Sequence, residues 1–401
     1  MMKDDLGGSK CHERDGDLSR WERGLARPHM DVVARLDAVL SAGQRLVALH
    51  ATVVELDRLR TVSMSRPAEE EVATERRRLL QLAAAGISAL GVCGEPVRRL
   101  LDQSLGRDFR GMEEWELACA DHLYALRTRP PARVAADLLV DLLALRRQLE
   151  AATPADAVEL QRFTAALASV HANALTRLGE HGGALRWWHT ARQAADASGD
   201  LRLRLLVRGE EAGHGLYGQR DPETVLRLLD SAERIASGPS IDLLTSRAKA
   251  LTLLGRHDEA CRTVKTLVVL AGAGVVPDSF GFWKPDQIHF AESWVYAGAG
   301  AGAEPAADRA REDVLRLART YQYGANVRLH EVLCMVARGG VDEGMRLAAG
   351  VIEPLPVAYR SHHIIETGRM VLRAVPRERR ERPAVGEFRE ILARRSAGGD
   401  A

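Results

Sequence analysis

One short pattern recurs along the second half of this chain. It reads Ala184-Leu185-Arg186-Trp187-Trp188-His189-Thr190-Ala191, then Val225-Leu226-Arg227-Leu228-Leu229-Asp230-Ser231-Ala232, then Ala260-Cys261-Arg262-Thr263-Val264-Lys265-Thr266-Leu267, then Gly344-Met345-Arg346-Leu347-Ala348. A polar turn precedes each. The leading residues lie 41, 35 and 84 positions apart. The last gap holds two units of about 42 residues, and Asp308 to Thr320 supplies one helix there. Units of this length are pairs of antiparallel helices joined by a turn. Each pair leaves an apolar side that only the next pair can cover, so the units must stack. Gly179 or Gly255 is expected to end the first helix of its pair. Ala172, Gly213 and Ala248 are expected to let first and second helices approach closely, with Ala184 and Ala260 fitting against the first helix.

The rest of the chain is also helical in period. Ala, Leu and Arg dominate, aromatics are only 4%, and strand-like alternation is scarce. Helices are predicted over about 30–59, 69–91, 95–103, 112–127, 131–150 and 156–178. The stretch Arg373 to Arg395, with eight Arg and four Glu, is expected to be a solvated final helix or tail. Over Pro154 to Pro354 the pattern resembles the tetratricopeptide repeat, in a degenerate form whose aromatic positions are often Leu or Ala. The expected fold is all-α, an α-solenoid over 76–395 with a tail at 396–401.

Net charge is +1, so the whole chain carries no nucleic-acid footprint. Residues 1–50 balance eight basic against eight acidic side chains, and Ser19 to Arg45 has five Arg against three acids. Arginine outnumbers lysine 51 to five, and Asn occurs twice, which reads as a GC-rich bacterial genome. The five cysteines are scattered, without a C-x-x-C, and fit a reduced cytoplasmic chain. No signal peptide opens the sequence. The longest apolar run, Leu79 to Val92, has 14 residues, short of the roughly 20 that a membrane helix needs.

Near the start, Ser19-Arg20-Trp21-Glu22-Arg23-Gly24-Leu25-Ala26-Arg27-Pro28 reads as a helix end, a turn and a helix entry. Trp21 is the anchor and Gly24 the left-handed cap. Pro28 then opens a helix to Leu40, with Val32, Val33, Leu36, Val39 and Leu40 on one face. This stretch resembles the second half of a Cro/repressor-type helix-turn-helix of the xenobiotic-response-element regulator family. The resemblance implies a partial module over 19–45, followed by a connecting helix or linker at 46–75. Arg20 would read a base, Ser19 and Arg23 would lie near the backbone, and Arg27 would touch phosphate. The family has two further helices upstream. Residues 1–18 are polar, contain Gly7, Gly8 and Gly16, and match neither, so the module is expected to be truncated or its start codon misread.

Other motifs carry less. Val268 to Val276 mimics a dinucleotide-binding glycine loop but lacks the third glycine and the βαβ context. Gly298, Gly300 and Gly302 read as an inter-helix loop. Ser246-x-x-Lys249 matches a short acyl-enzyme motif without its partner motifs. The 13 histidines include His171, His181, His189 and the pair His362-His363, without metal-ligand spacing. No cofactor, metal site or enzyme activity is expected. Two aromatic groups stand out: Trp187 with Trp188, and Phe280, Phe282, Trp283, Phe290, Trp294 and Tyr296. They serve either inter-repeat packing or a concave-face site. In the second case Arg186, Trp187, Trp188, Phe282, Trp283 and Trp294 are the candidate effector or partner contacts. Arg202, Arg204 and Arg208 would help hold an acidic peptide or carboxylate.

Together the two resemblances point to actinobacterial-type regulators that join a helix-turn-helix to repeats. They imply a cytoplasmic transcriptional regulator. Its repeats would bind a peptide, a small effector or a protein on their concave face, and supply a homodimer contact, without a membrane partner. The alternative is a scaffold that has lost DNA binding and acts through protein partners.

Overall fold

The computed structural model describes residues 28–39, 50, 110–236, 238–274, 280–300, 302–318 and 320–394. The chain divides into two compact units, Met1–Asp108 with Gly398–Ala401, and Phe109–Ala397. Ser19, Arg20, Arg23 and Arg27 lie outside the described residues, as do the helices expected at 69–91 and 95–103.

In the first unit one helix is described, α1 (Met30–Val39). It begins two residues after Pro28, and its buried side chains are Val33 and Asp37. Val39, expected on the apolar face, is exposed. The buried line follows Val33 and the residue one turn on, and Val39 falls off it. His50 Nε2 sits 2.8 Å from the Pro28 carbonyl oxygen.

The second unit is all-α and solenoid-like. Its helices are α2 (Met112–Thr128), α3 (Pro131–Glu150), α4 (Pro154–Leu178), α5 (His181–Ser198), α6 (Leu201–Gly215), α7 (Pro222–Glu233) and α8 (Ile241–Leu253). There follow α9 (His257–Gly272), α10 (Asp286–Gly298), α11 (Glu304–Leu317), α12 (Tyr321–Ala337), α13 (Val341–Ile352), α14 (His362–Ala374) and α15 (Pro383–Ala393). They pair in chain order into seven hairpins, the even-numbered helix first in each.

Local chemistry fixes many boundaries. Thr153 and Asp221 accept from the amides of Asp156 and Thr224, each followed by proline at the first helical position. Asp200, Thr320 and Ser361 cap α6, α12 and α14 in the same way. Gly179 and Gly255 end or follow the first helices with φ of +84° and +73°, a conformation that costs a residue with a Cβ. Ala184, Val225 and Ala260 are fully buried at equivalent points of the second helices. Gly344 packs against Val332 and Val336 of its own first helix. In the long gap Ala307 of α11 takes the anchor position, also buried.

Two expectations are corrected. Gly213 does permit a close approach, but to the next hairpin. A Cβ there would meet Ser246 Oγ of α8 at 2.6 Å, and one at Gly209 would meet the Asp242 carbonyl oxygen at 2.6 Å. Ser246 Oγ donates to the Gly209 carbonyl across this seam, at 2.8 Å. The arginine-rich C-terminal stretch is not simply a solvated tail. Val385, Phe388, Ile391 and Leu392 of α15 are buried in one cluster with α12, α13 and α14. Its arginines remain useful at the surface, where Arg379 Nη1 donates to the Gly339 carbonyl at 2.8 Å.

The stack also curls back on itself. α14 packs on α4, and α12 touches α2. His362 stacks edge-on against His181 with ring centroids 4.8 Å apart, and lies against Gly179 and Gly218. The His363 ring sits 3.9 Å from that of Tyr217. The first helices therefore surround an interior space.

Among the described residues no helix is long and apolar enough to cross a membrane.

Candidate functional site

The seven first helices face inward, and each contributes to the lining of one cavity. Leu126 and Arg127 come from α2, Asn173 and Arg177 from α4, Glu210 and His214 from α6, and Ser246 and Lys249 from α8. Asp286 and Phe290 come from α10, Gln322 and Tyr323 from α12, and His363 from α14. The space open to the centre of a water molecule is about 90 Å³. One water needs roughly 10–15 Å³ on that measure, so about six to nine water-sized groups fit.

A chain of polar groups that starts at the Arg177 guanidinium crosses the wall. Arg177 Nη1 donates to the Leu126 carbonyl and its Nε to Asn173 Oδ1 at 2.8 Å. That bond orients the Asn173 amide, so Nδ2 donates to His214 Nε2 at 2.7 Å. His214 Nδ1 then donates to His363 Nε2 at 2.9 Å. The Glu210 carboxylate also lies 3.1 Å from His214 Nε2. A ring nitrogen cannot accept from Asn173 and donate to Glu210 at once. Burial pushes His214 and His363 below the ordinary histidine value, which favours the neutral ring and the bond from Asn173.

Three cations line the space. Arg127 is fixed by Nη2, which donates to the Gly281 and Phe282 carbonyls at 3.1 and 3.0 Å. Arg177 is held as above. Lys249 Nζ lies 4.9 Å from the Phe290 ring centre and 6.0 Å from that of Trp294. Burial lowers its pKa to about 8, against the opposing charge of Glu210. Burial raises the carboxyl of Asp286, against Arg127, and its Oδ1 has no hydrogen-bond partner.

Of the candidate contacts, Phe282 and Trp283 line the cavity. Trp294 is buried behind it, edge-on to Tyr217 and His330, beneath Lys249. Arg186, Trp187 and Trp188 do not line it. They belong to a second helix, α5, where Trp188 stacks on the outer side of His214, Trp187 meets His171, and Arg186 is exposed. Arg204 and Arg208 are both bound to Asp196 at 2.7 Å, a surface network rather than a receptor for an acidic partner. Sequence reasoning missed Arg127, Arg177, Glu210, His214 and Asp286, and set Lys249 aside with its short motif. One signal was available: they fall on first helices, which a closed repeat turns inward. Ser246 and Lys249 share the cavity, but the Ser246 hydroxyl is committed to Gly209. Among the described residues no cluster of His, Cys, Asp and Glu is arranged to hold a metal ion.

The chain matches no family model, no curated protein and no solved structure.

Proposed function

We propose that this chain is a ligand-responsive regulator whose helical repeats enclose a small effector and control DNA binding by the segment around Ser19 to Arg27. The observation that carries the ligand half is the cavity itself. Every first helix of the stack contributes to it, so binding there biases the arrangement of the hairpins. The DNA half rests on the resemblance of residues 19–45 to a helix-turn-helix, which also supports a cytoplasmic homodimer.

The test is fluorescence anisotropy of the full chain against promoter fragments from its own genomic neighbourhood, at several salt concentrations, beside Arg20→Ala. Tight binding to one fragment, weakened about tenfold or more by Arg20→Ala, supports the regulator. Weak binding that ignores sequence and vanishes at physiological salt rejects it.

A second reading, an adaptor acting through protein partners, has its own support. Leu117 and Tyr124 share one face of α2 and are exposed, as are Leu139 and Leu143 on one face of α3. A pull-down with and without residues 1–45 separates the two readings.

A further inference from the structure

Two charged groups in the cavity lack a side-chain hydrogen bond or ion pair among the described residues. Asp286 is 8% exposed, and its Oδ1 has no hydrogen bond. Its carboxyl lies at the start of α10, where the charge of Arg127 and the amides of Asp286 and Gln287 act on it. Among the described residues, Lys249 Nζ takes part in no hydrogen bond or ion pair; it lies over the Phe290 and Trp294 rings, within the field of Glu210. The two groups share a wall. Asp286 lies one helical turn before Phe290 on α10, and Lys249 Nζ lies over the Phe290 ring.

The charges of the cavity balance. Arg127, Arg177 and Lys249 face Glu210, Asp242 and Asp286. A ligand of a single sign answers one of the two open groups and leaves the other buried and unpaired, which is costly. A ligand with both signs answers both. The volume sets the scale at about six to nine water-sized groups, and Phe290 and Tyr323, stacked with ring centres 4.4 Å apart, form part of the lining.

We propose that the cavity binds a free amino acid, its carboxylate on Lys249, its ammonium on Asp286 and its side chain against Phe290 and Tyr323. The proposal rests on the ligand-binding reading above and names its ligand class. A peptide terminus has the same groups singly, because its other end is an amide. A free amino acid therefore differs from a peptide in needing both open groups.

The experiment is isothermal titration calorimetry of the full chain with each of the twenty L-amino acids. It continues, for the tightest binder, with its C-terminal amide and its N-acetyl derivative. At least one free amino acid is expected to bind. Each derivative, and each of Lys249→Met and Asp286→Asn, is expected to weaken binding by about tenfold to a hundredfold. The proposal is overturned if none of the twenty binds, or if the amide or N-acetyl form binds as tightly. The derivatives test it on the native chain, so it does not depend on the variants folding. An amino acid that binds but leaves DNA affinity unchanged rejects the regulator and keeps the assignment. A singly charged derivative that binds equally well and shifts DNA affinity does the reverse.

Discussion

Gly209 sets how closely two repeats meet. A Cβ there would lie 2.6 Å from the Asp242 carbonyl oxygen, a backbone atom that cannot swing aside. Gly209→Ala is expected to destabilise the fold by about 1–3 kcal/mol. Urea denaturation checks this, and an unchanged midpoint would show that α6 and α8 are not in such contact. Lys249 gives a second test. The titratable groups coupled to its charge are Glu210 and His214 on α6, His330 on α12 and His363 on α14, and the cavity wall also carries Asp242, Asp286, Arg127 and Arg177. Burial lowers His214, His330 and His363, and Lys249, near 8, loses its charge just above pH 7. Amino acid affinity should fall about fourfold from pH 7 to pH 8.5. Lys249→Arg, charged throughout, should remove that fall in the same calorimetric titration.

At the level of elements, the sequence made the hairpins readable and hid how they join. Gly179, Gly255, Ala184 and Ala260 follow from rules that act within one hairpin, and the structure places them as those rules require. Gly213 and the arginine-rich end follow from contacts between hairpins, which one repeat cannot reveal. At Gly213 the contact is Ser246, 33 positions on; at the end it is a cluster under α15. Phe388 is the largest side chain α15 buries there, with no exposed surface. Phe388→Ala is expected to cost about 3–5 kcal/mol. Hydrogen exchange should show the loss in α13, α14 and α15 first, because a stacked array transmits damage mainly to its neighbours. Uniform faster exchange through all seven hairpins would contradict that locality.

For the whole molecule, closure decides the chemistry. His362 and His363 meet Gly179, His181 and His214 across roughly 150 to 180 residues of chain, a distance that carries no local signal. Closure turns first-helix polar residues into a cavity wall, so the site was far less legible than the helices. Enclosure also buries histidines. Burial lowers His171 to about 4 and His330 to about 3. The unfolded chain protonates both near pH 6.5 while the folded chain does not, so stability is lost as pH falls below 6.5. The two should cost about 2–3 kcal/mol between pH 6 and pH 5. Urea titrations at pH 7, 6 and 5 test this, with His330→Gln expected to shallow the slope.

The central claim is that one enclosed cavity, shared by all seven hairpins, is the binding site. Hydrogen–deuterium exchange of the full chain, with and without an equimolar mixture of the twenty L-amino acids, tests it most directly. The account predicts slower exchange at the cavity-facing stretches of α2, α4, α6, α8, α10, α12 and α14 together. Protection confined to the exposed faces of α2 and α3, or none at all, would contradict it.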